Sequence, residues 1–434
     1  MSAPVSTAGA APRAPAPSSS GYGRGAKVLS VGLATTGVVT FAYFSVASHV
    51  LSDVEYKQIS LVWSVMFIVV SVLYKPIEQL LSRTIADRRA RGLAHAHPLR
   101  VPLLIQSGFA LAFLLAALAL RGPIQDDLLD GSATLYWVLV AGVLAYAASY
   151  FARGWLAGHQ WFALYGGLVL MESSSRLLFA LAVAVGIAEG ESVVAIGMAA
   201  APFVSLVVVP LAFARRPTAT RRRARADDVD LDLGRGSRFA LAVLAIMLAE
   251  QTLLNAAVIA TDLTAADAAV AGFVFNVLLI ARAPLQLFQA VQGSLLPHLA
   301  GLEARASRDE VHRAVRVTVL AIAGFAVAVA LGLLVLGPWV MGLLFDDGAD
   351  YGRVGLALVA LGMGCHLMAG TLNQAALARD QAGRAALAWL LVGALFVAWL
   401  LVPAVDDAVL RAETGYLGAT AALCAMLAVA YRRA

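Results

Sequence analysis

Charged side chains are scarce in this chain of 434 residues: only 14% are Asp, Glu, Lys or Arg, whereas 61% are hydrophobic. A typical soluble protein has about 25% charged and roughly 45–50% apolar residues, so the composition excludes an ordinary water-soluble domain. Cysteine is rarer still, and both Cys365 and Cys424 lie inside apolar runs. This placement argues against a disulfide framework and against a zinc site.

The sequence also lacks the motifs of common hydrolases and nucleotide-driven pumps. It contains no Walker A loop, no HExxH and no GxSxG, which argues against direct use of ATP and against the familiar hydrolytic sites. Every predicted loop is short, and the longest, residues 215–237, has no room for a soluble catalytic domain. We therefore expect a protein that is not an enzyme and that carries no cofactor or metal.

The sequence does contain many long apolar runs. About 20 apolar residues in a helix cross the hydrocarbon core of a bilayer, and twelve such runs are predicted as spans. They cover residues 27–48, 60–81, 101–120, 134–152, 163–187, 193–214, 238–261, 268–292, 314–336, 354–373, 385–404 and 412–431. The first run is too long for the apolar core of a signal peptide, so we predict an uncleaved helix after a disordered tail, residues 1–24. The predicted fold class is an all-α polytopic membrane protein with about twelve transmembrane helices.

The charges of the loops alternate along the chain. Arginines cluster in every second loop, and acidic residues fill many of the loops between them. Only four of the 32 basic residues fall in the loops of the side opposite the arginine clusters, namely Lys57, Arg121, Arg353 and Arg411. By the positive-inside rule, the arginine-rich side is cytoplasmic. This predicts a multi-pass protein of the cytoplasmic membrane with both termini inside, and it explains the net charge of +5 without a nucleic-acid partner.

A charged linker, residues 215–237, divides the predicted spans into two sets of six. The N-terminal lobe covers residues 25–214 and the C-terminal lobe covers residues 238–434. The two halves resemble each other weakly, as parallel repeats would, and in many transporters such repeats bind the substrate between them. A compositional bias shared by alanine-rich helices is the alternative explanation of this weak resemblance.

Charged residues inside the spans are candidates for function, because a charge in the bilayer core costs about 3 kcal/mol or more. The fifth span carries Glu172 and Arg176, four residues apart in the favourable order for a helical ion pair. They are expected to form either a packing pair or a cavity wall where Arg176 meets an anionic substrate. In the seventh span, Glu250 is predicted to be a protonated hydrogen-bond donor or a site for a coupling proton or cation. Asn255 adds a further polar group to that span.

Two further cations lie within spans, each followed by a proline. Lys75, with Glu78 one turn later, either extends its ammonium to the cytoplasmic headgroups or lines a cavity. Arg282 is followed by Gln286 and Gln289, which lie on one stripe of the helix. A polar stripe on a membrane helix is expected to face a cavity rather than lipid.

Two stretches resemble a known family. Residues 74–92, YKPIEQLLSRTIADRRARG, and residues 153–167, RGWLAGHQWFALYGG, resemble polysaccharide-biosynthesis flippases of actinobacteria. These proteins belong to the MOP superfamily, together with the Wzx proteins, the lipid II flippase MurJ and the MATE drug exporters. MurJ-like members have fourteen helices and twelve are predicted here, so a lipid II role is disfavoured.

The resemblance implies a MATE/MOP-like fold of two six-helix lobes around a central cavity. It implies a flippase that moves a polyprenyl-diphosphate-linked oligosaccharide across the membrane by alternating access, with membrane lipids, a polysaccharide polymerase and glycosyltransferases as partners. The cavity of such proteins is cationic, which agrees with Arg176, Arg282 and Lys75 as ligands of a diphosphate. The embedded acids leave a second hypothesis, a MATE-type drug or metabolite antiporter coupled to protons or cations. A scaffold without transport is a third.

Overall fold

The computed structural model describes residues 19–91, 99–208, 210, 232–264, 295–304, 308–344, 352–402 and 405–433. Within these residues the chain is almost entirely helical and contains no β-strand. The helices are α1 (Ser19–Val50), α2 (Asp53–Ala90), α3 (Arg100–Ala119), α4 (Ala133–Gly158), α5 (Phe162–Ala184), α6 (Glu191–Ser205), α7 (Leu233–Thr264), α8 (Arg308–Leu344), α9 (Arg353–Ala378), α10 (Ala382–Leu401) and α11 (Ala408–Arg432). A π-helical turn, Pro123–Leu128, lies between α3 and α4, and residues 295–303 are also helical.

Ten of the described helices are long and apolar enough to cross a membrane, and each coincides with a predicted span. The predicted sixth span is the shorter apolar helix α6, of 15 residues. The predicted eighth span, residues 268–292, lies outside the described residues. Large apolar side chains such as Phe203, Leu241 and Trp339 are exposed on these helices, as expected of surfaces that contact lipid. The prediction of an all-α polytopic membrane protein is confirmed.

Several helices extend beyond the spans predicted for them, and α2 and α4 show why. The start of α2 is fixed by Ser52, whose hydroxyl accepts a hydrogen bond from the Glu55 amide while the Glu55 carboxylate accepts one from the Ser52 amide. α4 continues to Gly158, so Arg153 lies within a helix where the sequence predicts a loop. The difference arises because no proline follows Arg153 in this segment, and extending an existing helix costs little.

Two predicted domain boundaries also differ from the helix ends. α1 begins at Ser19, so residues 19–24 are helical although the sequence predicts a disordered tail there. The last proline of that tail is Pro17, and no proline blocks the helix between it and the first span. α7 begins at Leu233, inside the predicted linker. Residues 1–18 and 211–231 lie outside the described residues.

The described helices pack into two groups. α1 to α6 form the N-terminal bundle, in which α1 packs on α5, α2 packs on α4, and α6 packs on both α4 and α5. α7 to α11 form the C-terminal bundle, in which α9 packs on α8 and α11, and α10 packs on α7 and α11. Buried tyrosines such as Tyr43 and Tyr136 fill the first core, whereas Trp389 and Phe396 lie in the second. The arrangement agrees with the two lobes that the family resemblance implies.

The bundles meet where α2 and α3 pack on α7. Ile77, Leu80 and Ile105 belong to the hydrophobic core of the C-terminal bundle, whereas Ile59 and Met66, earlier on α2, pack within the N-terminal bundle. Among the described residues, the apolar contact between bundles is therefore concentrated in the membrane half that holds the arginine-rich end of α2. We call this side of the molecule the basic face.

Candidate functional site

A polar cluster lies inside the N-terminal bundle and is centred on Glu172 of α5, which is 1% exposed. Its carboxylate accepts hydrogen bonds from Ser149 and Arg153 of α4, and from the Ser205 hydroxyl of α6 at 3.2 Å. The positive charge of Arg153 and the hydroxyl donors offset the cost of burying this polar side chain. Glu172 therefore joins three helices of the bundle.

An ion pair between Glu172 and Arg176, one of the two arrangements that the sequence allows, is not formed. The Arg176 guanidinium donates instead to the Tyr146 hydroxyl at 2.6 Å and to the Ser173 hydroxyl at 2.9 Å. Among the described residues, no carboxylate forms an ion pair with Arg176 within 4 Å. The reason is that Arg153, on the neighbouring helix, already binds the Glu172 carboxylate. Spacing along one helix cannot reveal this competing partner.

Aromatic rings complete the surroundings of Arg176, which is 4% exposed. The central carbon of its guanidinium lies 4.8 Å from the ring centroid of Trp63 and 5.5 Å from that of Phe67, both on α2. Trp63 in turn stacks on Tyr43 of α1, with 5.8 Å between the ring centroids. The electron-rich faces of aromatic rings attract cations, and a guanidinium is more weakly hydrated than an ammonium. This setting therefore stabilises a buried positive charge without a carboxylate.

A second polar group links α2 to α5. The Lys75 ammonium lies 3.4 Å from the Glu78 carboxylate, and that carboxylate also accepts a hydrogen bond from the Tyr165 hydroxyl at 2.9 Å. The Glu78 side chain is 3% exposed, whereas the Lys75 side chain is 18% exposed. Glu78 is thus held by two partners, while Lys75 retains access to its surroundings.

The two stretches that carry the family resemblance lie against each other. Gly154 of α4 packs directly on α2, and a Cβ atom added to it would lie 2.8 Å from the Glu78 carbonyl oxygen. One turn later, a Cβ on Gly158 would lie 2.7 Å from Cβ of Ile85. The Gly158 carbonyl also accepts a hydrogen bond from Arg89 at 3.2 Å. Small residues one turn apart let membrane helices approach closely, so the two stretches build a single junction of α2, α4 and α5.

The C-terminal bundle carries a different chain of polar groups. The Glu250 carboxylate of α7 lies 3.4 Å from Nε2 of His366 on α9, and Nδ1 of His366 lies 3.2 Å from the Tyr416 hydroxyl on α11. His366 is fully buried, whereas the Glu250 side chain is 15% exposed. Asn255 donates a hydrogen bond to the Gln251 carbonyl oxygen, one turn back, at 2.8 Å. The imidazole therefore connects a partly exposed carboxyl to a buried phenol.

The structure brings the predicted residues Glu172 and Arg176 into one bundle and places Glu250 and Asn255 in the other. The predicted residues Arg282, Gln286 and Gln289 lie outside the described residues. Within the described ranges, no group of three or more His, Cys, Asp or Glu side chains is placed to hold a metal ion.

Several residues of these two polar groups are not predicted as site residues by the sequence, among them Arg153, Tyr146 and Tyr165. The apolar run of α4 ends at residue 152, so Arg153 is expected in a loop. The available signal is the segment RGWLAG itself, in which one charge is followed by apolar and small residues that can continue a membrane helix. Tyrosines within apolar runs give no such signal, because their rings suit a core as well as a site.

The described interior of the N-terminal bundle has a positive formal charge. Glu172 is balanced by Arg153, and Glu78 is balanced by Lys75. Arg176 remains as a cation without an acidic counterpart among the described residues. The bundle can therefore attract an anion more readily than a cation.

No family model matches the chain, and no curated protein matches it. Solved structures of MATE transporters do match it. A MATE transporter in the straight conformation has a TM-score of 0.77 and 14% identity over 95% of each chain. A mutant of the MATE transporter VcmN of Vibrio cholerae has a TM-score of 0.74 and 15% identity over 95% of each chain. An outward-facing multidrug resistance MATE transporter of the MOP superfamily has a TM-score of 0.73 and 13% identity, also over 95% of each chain.

Proposed function

We propose that this chain, which has the fold of the MATE transporters of the MOP superfamily, moves an anionic polyprenyl-diphosphate-linked oligosaccharide across the cytoplasmic membrane. Transport proceeds by alternating access without covalent chemistry, with the basic face and both termini toward the cytoplasm. The observation that carries the proposal is the charge of Arg176, which is buried and has no carboxylate partner among the described residues.

The hydrogen bonding of the carboxylates favours an anionic cargo over a cationic one. A cationic drug or a coupling proton in the N-terminal bundle would need a carboxylate that is free to bind it. Glu172 already accepts hydrogen bonds from three side chains, and Glu78 is held by Tyr165 and Lys75. Each carboxylate already has a basic partner, so the surplus positive charge of Arg176 favours an anionic cargo.

The position of α2 supports a role for Arg176 in a moving structure. Arg176 is covered here by Trp63 and Phe67, both on α2, and α2 is also the helix that packs on α7 at the basic face. A rocking motion that shifts α2 against α5 would uncover the guanidinium to the space between the bundles. Lys75, also on α2 and partly exposed, would meet a diphosphate that enters from the basic face. The cargo can shift the equilibrium between the two transport conformations only by the difference between its affinities for them.

Transport of a labelled polyprenyl-diphosphate oligosaccharide by the chain in proteoliposomes tests the proposal. We expect Arg176→Gln to lower the initial rate at least about tenfold, because one charge-assisted hydrogen bond contributes roughly 1.5–3 kcal/mol. Arg316→Gln, the same change at an exposed position of α8, is the matched control and should transport at the wild-type rate.

Two further variants separate charge from packing. Arg176→Lys retains the positive charge but loses the planar fork, and we expect a rate between those of the wild type and Arg176→Gln. The unfolding temperature of each variant shows whether the bundle is intact. Wild-type rates in both Arg176→Ala and Arg282→Ala would eliminate these cations as the cargo site.

A MATE-type antiporter coupled to protons or cations is the second candidate, and the contact between Glu250 and His366 favours it. The Glu250 carboxylate lies 3.4 Å from an imidazole, a group that serves as a proton shuttle in many proteins, and the Glu250 side chain is partly exposed. Uptake of a cationic drug driven by an imposed pH gradient, and abolished in Glu250→Gln, would support this function. Lipid-linked sugar transport that is unchanged in Glu250→Gln would show that this group does not couple the flippase.

A further inference from the structure

A second basic site lies between the two bundles at the basic face, apart from the residues assigned to cargo. A cavity of about 340 Å³ is present there. The N-terminal bundle contributes Arg83, Arg88 and Arg91 to its lining, and the C-terminal bundle contributes Arg235 and Arg379. Five guanidinium groups from two bundles therefore converge on one pocket.

The carboxylates of the lining balance only part of this charge. There are three of them, and each lies beside one arginine: Arg83 is 3.1 Å from Asp380, Arg91 is 2.9 Å from Asp87, and Arg379 is 3.5 Å from Glu303. Four arginines, Arg83, Arg91, Arg235 and Arg379, therefore stand against three carboxylates in the described lining, and a positive excess remains. An anion in the pocket would be attracted by this excess.

The pocket lies on a junction that is formed by both bundles. Arg83 of α2 donates a hydrogen bond to the Ala378 carbonyl oxygen at 3.5 Å, and its guanidinium lies 5.2 Å from the ring centroid of Phe239 on α7. Ala378 is the last residue of α9, and Phe239 lies near the start of α7. An anion bound beside Arg83 would therefore contact both bundles at once.

The size and chemistry of the pocket select one class of ligand. Its volume is near the lower end of the range for small-molecule sites, about 300–1,000 Å³, which suits a phosphate or diphosphate group but not an oligosaccharide. Guanidinium groups bind phosphate oxygens through paired, charge-assisted hydrogen bonds. The location at one end of the membrane helices gives access both to lipid headgroups and to soluble anions.

We propose that this pocket binds a phosphate group, either free or carried by a lipid, and that the bound anion holds the two bundles together at the basic face. Such a ligand stabilises the state in which this face is closed, because opening would separate Arg83, Arg88 and Arg91 from Arg235 and Arg379. This site would act whatever cargo the protein carries.

Binding measurements on the full chain in phosphatidylcholine nanodiscs test the proposal. Inorganic pyrophosphate, titrated by calorimetry, is the probe for a free phosphate. Phosphatidic acid, added to the nanodisc lipid and detected by a rise in unfolding temperature, is the probe for a headgroup. We expect Arg83→Gln with Arg235→Gln to weaken binding at least about tenfold, since the pocket loses one guanidinium donor from each bundle.

Arg313→Gln with Arg316→Gln is the matched control, because it removes the same charge from exposed positions of α8 outside the pocket. Pyrophosphate binding that falls only in the pocket variant supports a free phosphate. A temperature rise with phosphatidic acid alone, lost only in the pocket variant, supports a lipid headgroup. Equal binding by the pocket and control variants, or no response of the wild type to either probe, overturns the proposal. Neither readout requires transport, so failure of this site is distinguishable from failure of the proposed function.

Discussion

The two bundles have related helical packing but bury different kinds of polar groups. In the N-terminal bundle, Glu172 and Arg153 form an ion pair between helices, and Arg176 is a third charge surrounded by aromatic rings. In the described part of the C-terminal bundle, Glu250 faces the imidazole of His366. The polar core of the N-terminal bundle is therefore built around an ion pair and an enclosed guanidinium, whereas that of the C-terminal bundle includes a carboxyl–imidazole contact.

The largest expected effect comes from Arg153→Met, which removes the cation from the ion pair of the N-terminal bundle. Glu172, at 1% exposure, would keep a buried negative charge without its counterion. We expect a loss of about 3–5 kcal/mol in the free energy of unfolding, as for other broken buried pairs. Chemical unfolding of the purified variant in detergent measures it.

The double variant Arg153→Met with Glu172→Gln is the control for this experiment. It removes both charges, and we expect it to recover a large part of the lost stability. A single variant as stable as the wild type would contradict the picture of an N-terminal bundle held by fixed charges.

A glycine-to-alanine comparison between the bundles has the next largest expected effect. At Gly154, the new methyl group would meet the Glu78 backbone at 2.8–2.9 Å, and relief requires α2 and α4 to separate, which costs about 1–3 kcal/mol. At Gly355 of α9 the obstacle is the flexible carboxylate end of Glu413, so we expect a cost near zero. Gly167→Ala, with open space around it, should be neutral or up to about 1 kcal/mol more stable.

Unfolding temperatures of the three alanine variants rank these positions. An equal loss at Gly154 and Gly355 would show that the close contact between α2 and α4 is not a special feature of the N-terminal bundle.

Removal of one hydroxyl from each bundle sharpens the comparison further. Tyr165→Phe removes a donor from the charged Glu78 carboxylate, and we expect a loss of about 1.5–3 kcal/mol. Tyr416→Phe removes one partner of His366, and we expect about 0.5–1.5 kcal/mol, the usual net contribution of one hydrogen bond. The two losses are compared by chemical unfolding under the same conditions. A larger loss for Tyr416→Phe would place the stronger polar interaction in the C-terminal bundle instead.

The smallest expected effect concerns the ion pair between the bundles. Arg83 lies 3.1 Å from Asp380, whose side chain is 59% exposed. In a double-mutant cycle with Arg83→Gln and Asp380→Asn, we expect a coupling energy of about 0.2–1 kcal/mol, and less at high salt. A coupling energy well above this range would show that the Arg83–Asp380 pair holds the two bundles together strongly. A rocking motion would then be unable to separate them here.

The apolar runs predict the membrane helices well, but not where the helices end. α3 covers Arg100–Ala119, one residue from the predicted span. α2 is much longer than its span, because charged residues such as Asp53 and Arg88 lie beyond the bilayer core yet remain helical. Hydropathy follows the thickness of the hydrocarbon core, whereas a helix ends only where its capping or chain geometry changes.

The residue types of the site are also predictable, since a buried charge in a membrane span needs a partner or a cavity. Glu172, Arg176 and Glu78 are all buried as expected of functional or structural polar groups. The partners of Glu172 and Arg176 are not predictable, as Arg153 and Tyr146 come from a different helix.

The amino-acid sequence by itself determined that this is a multi-pass helical membrane protein, because apolar length and scarce charge leave no other solvent than lipid for most of its surface. It also singled out several polar groups of the helices, Glu172 and Arg176 among them. Only the tertiary structure decided that Glu172 binds Arg153 and that Arg176 is enclosed by aromatic rings. The physical reason is that spacing along a helix defines which side chains share a face, whereas the helix that packs against that face is set by contacts between distant parts of the chain.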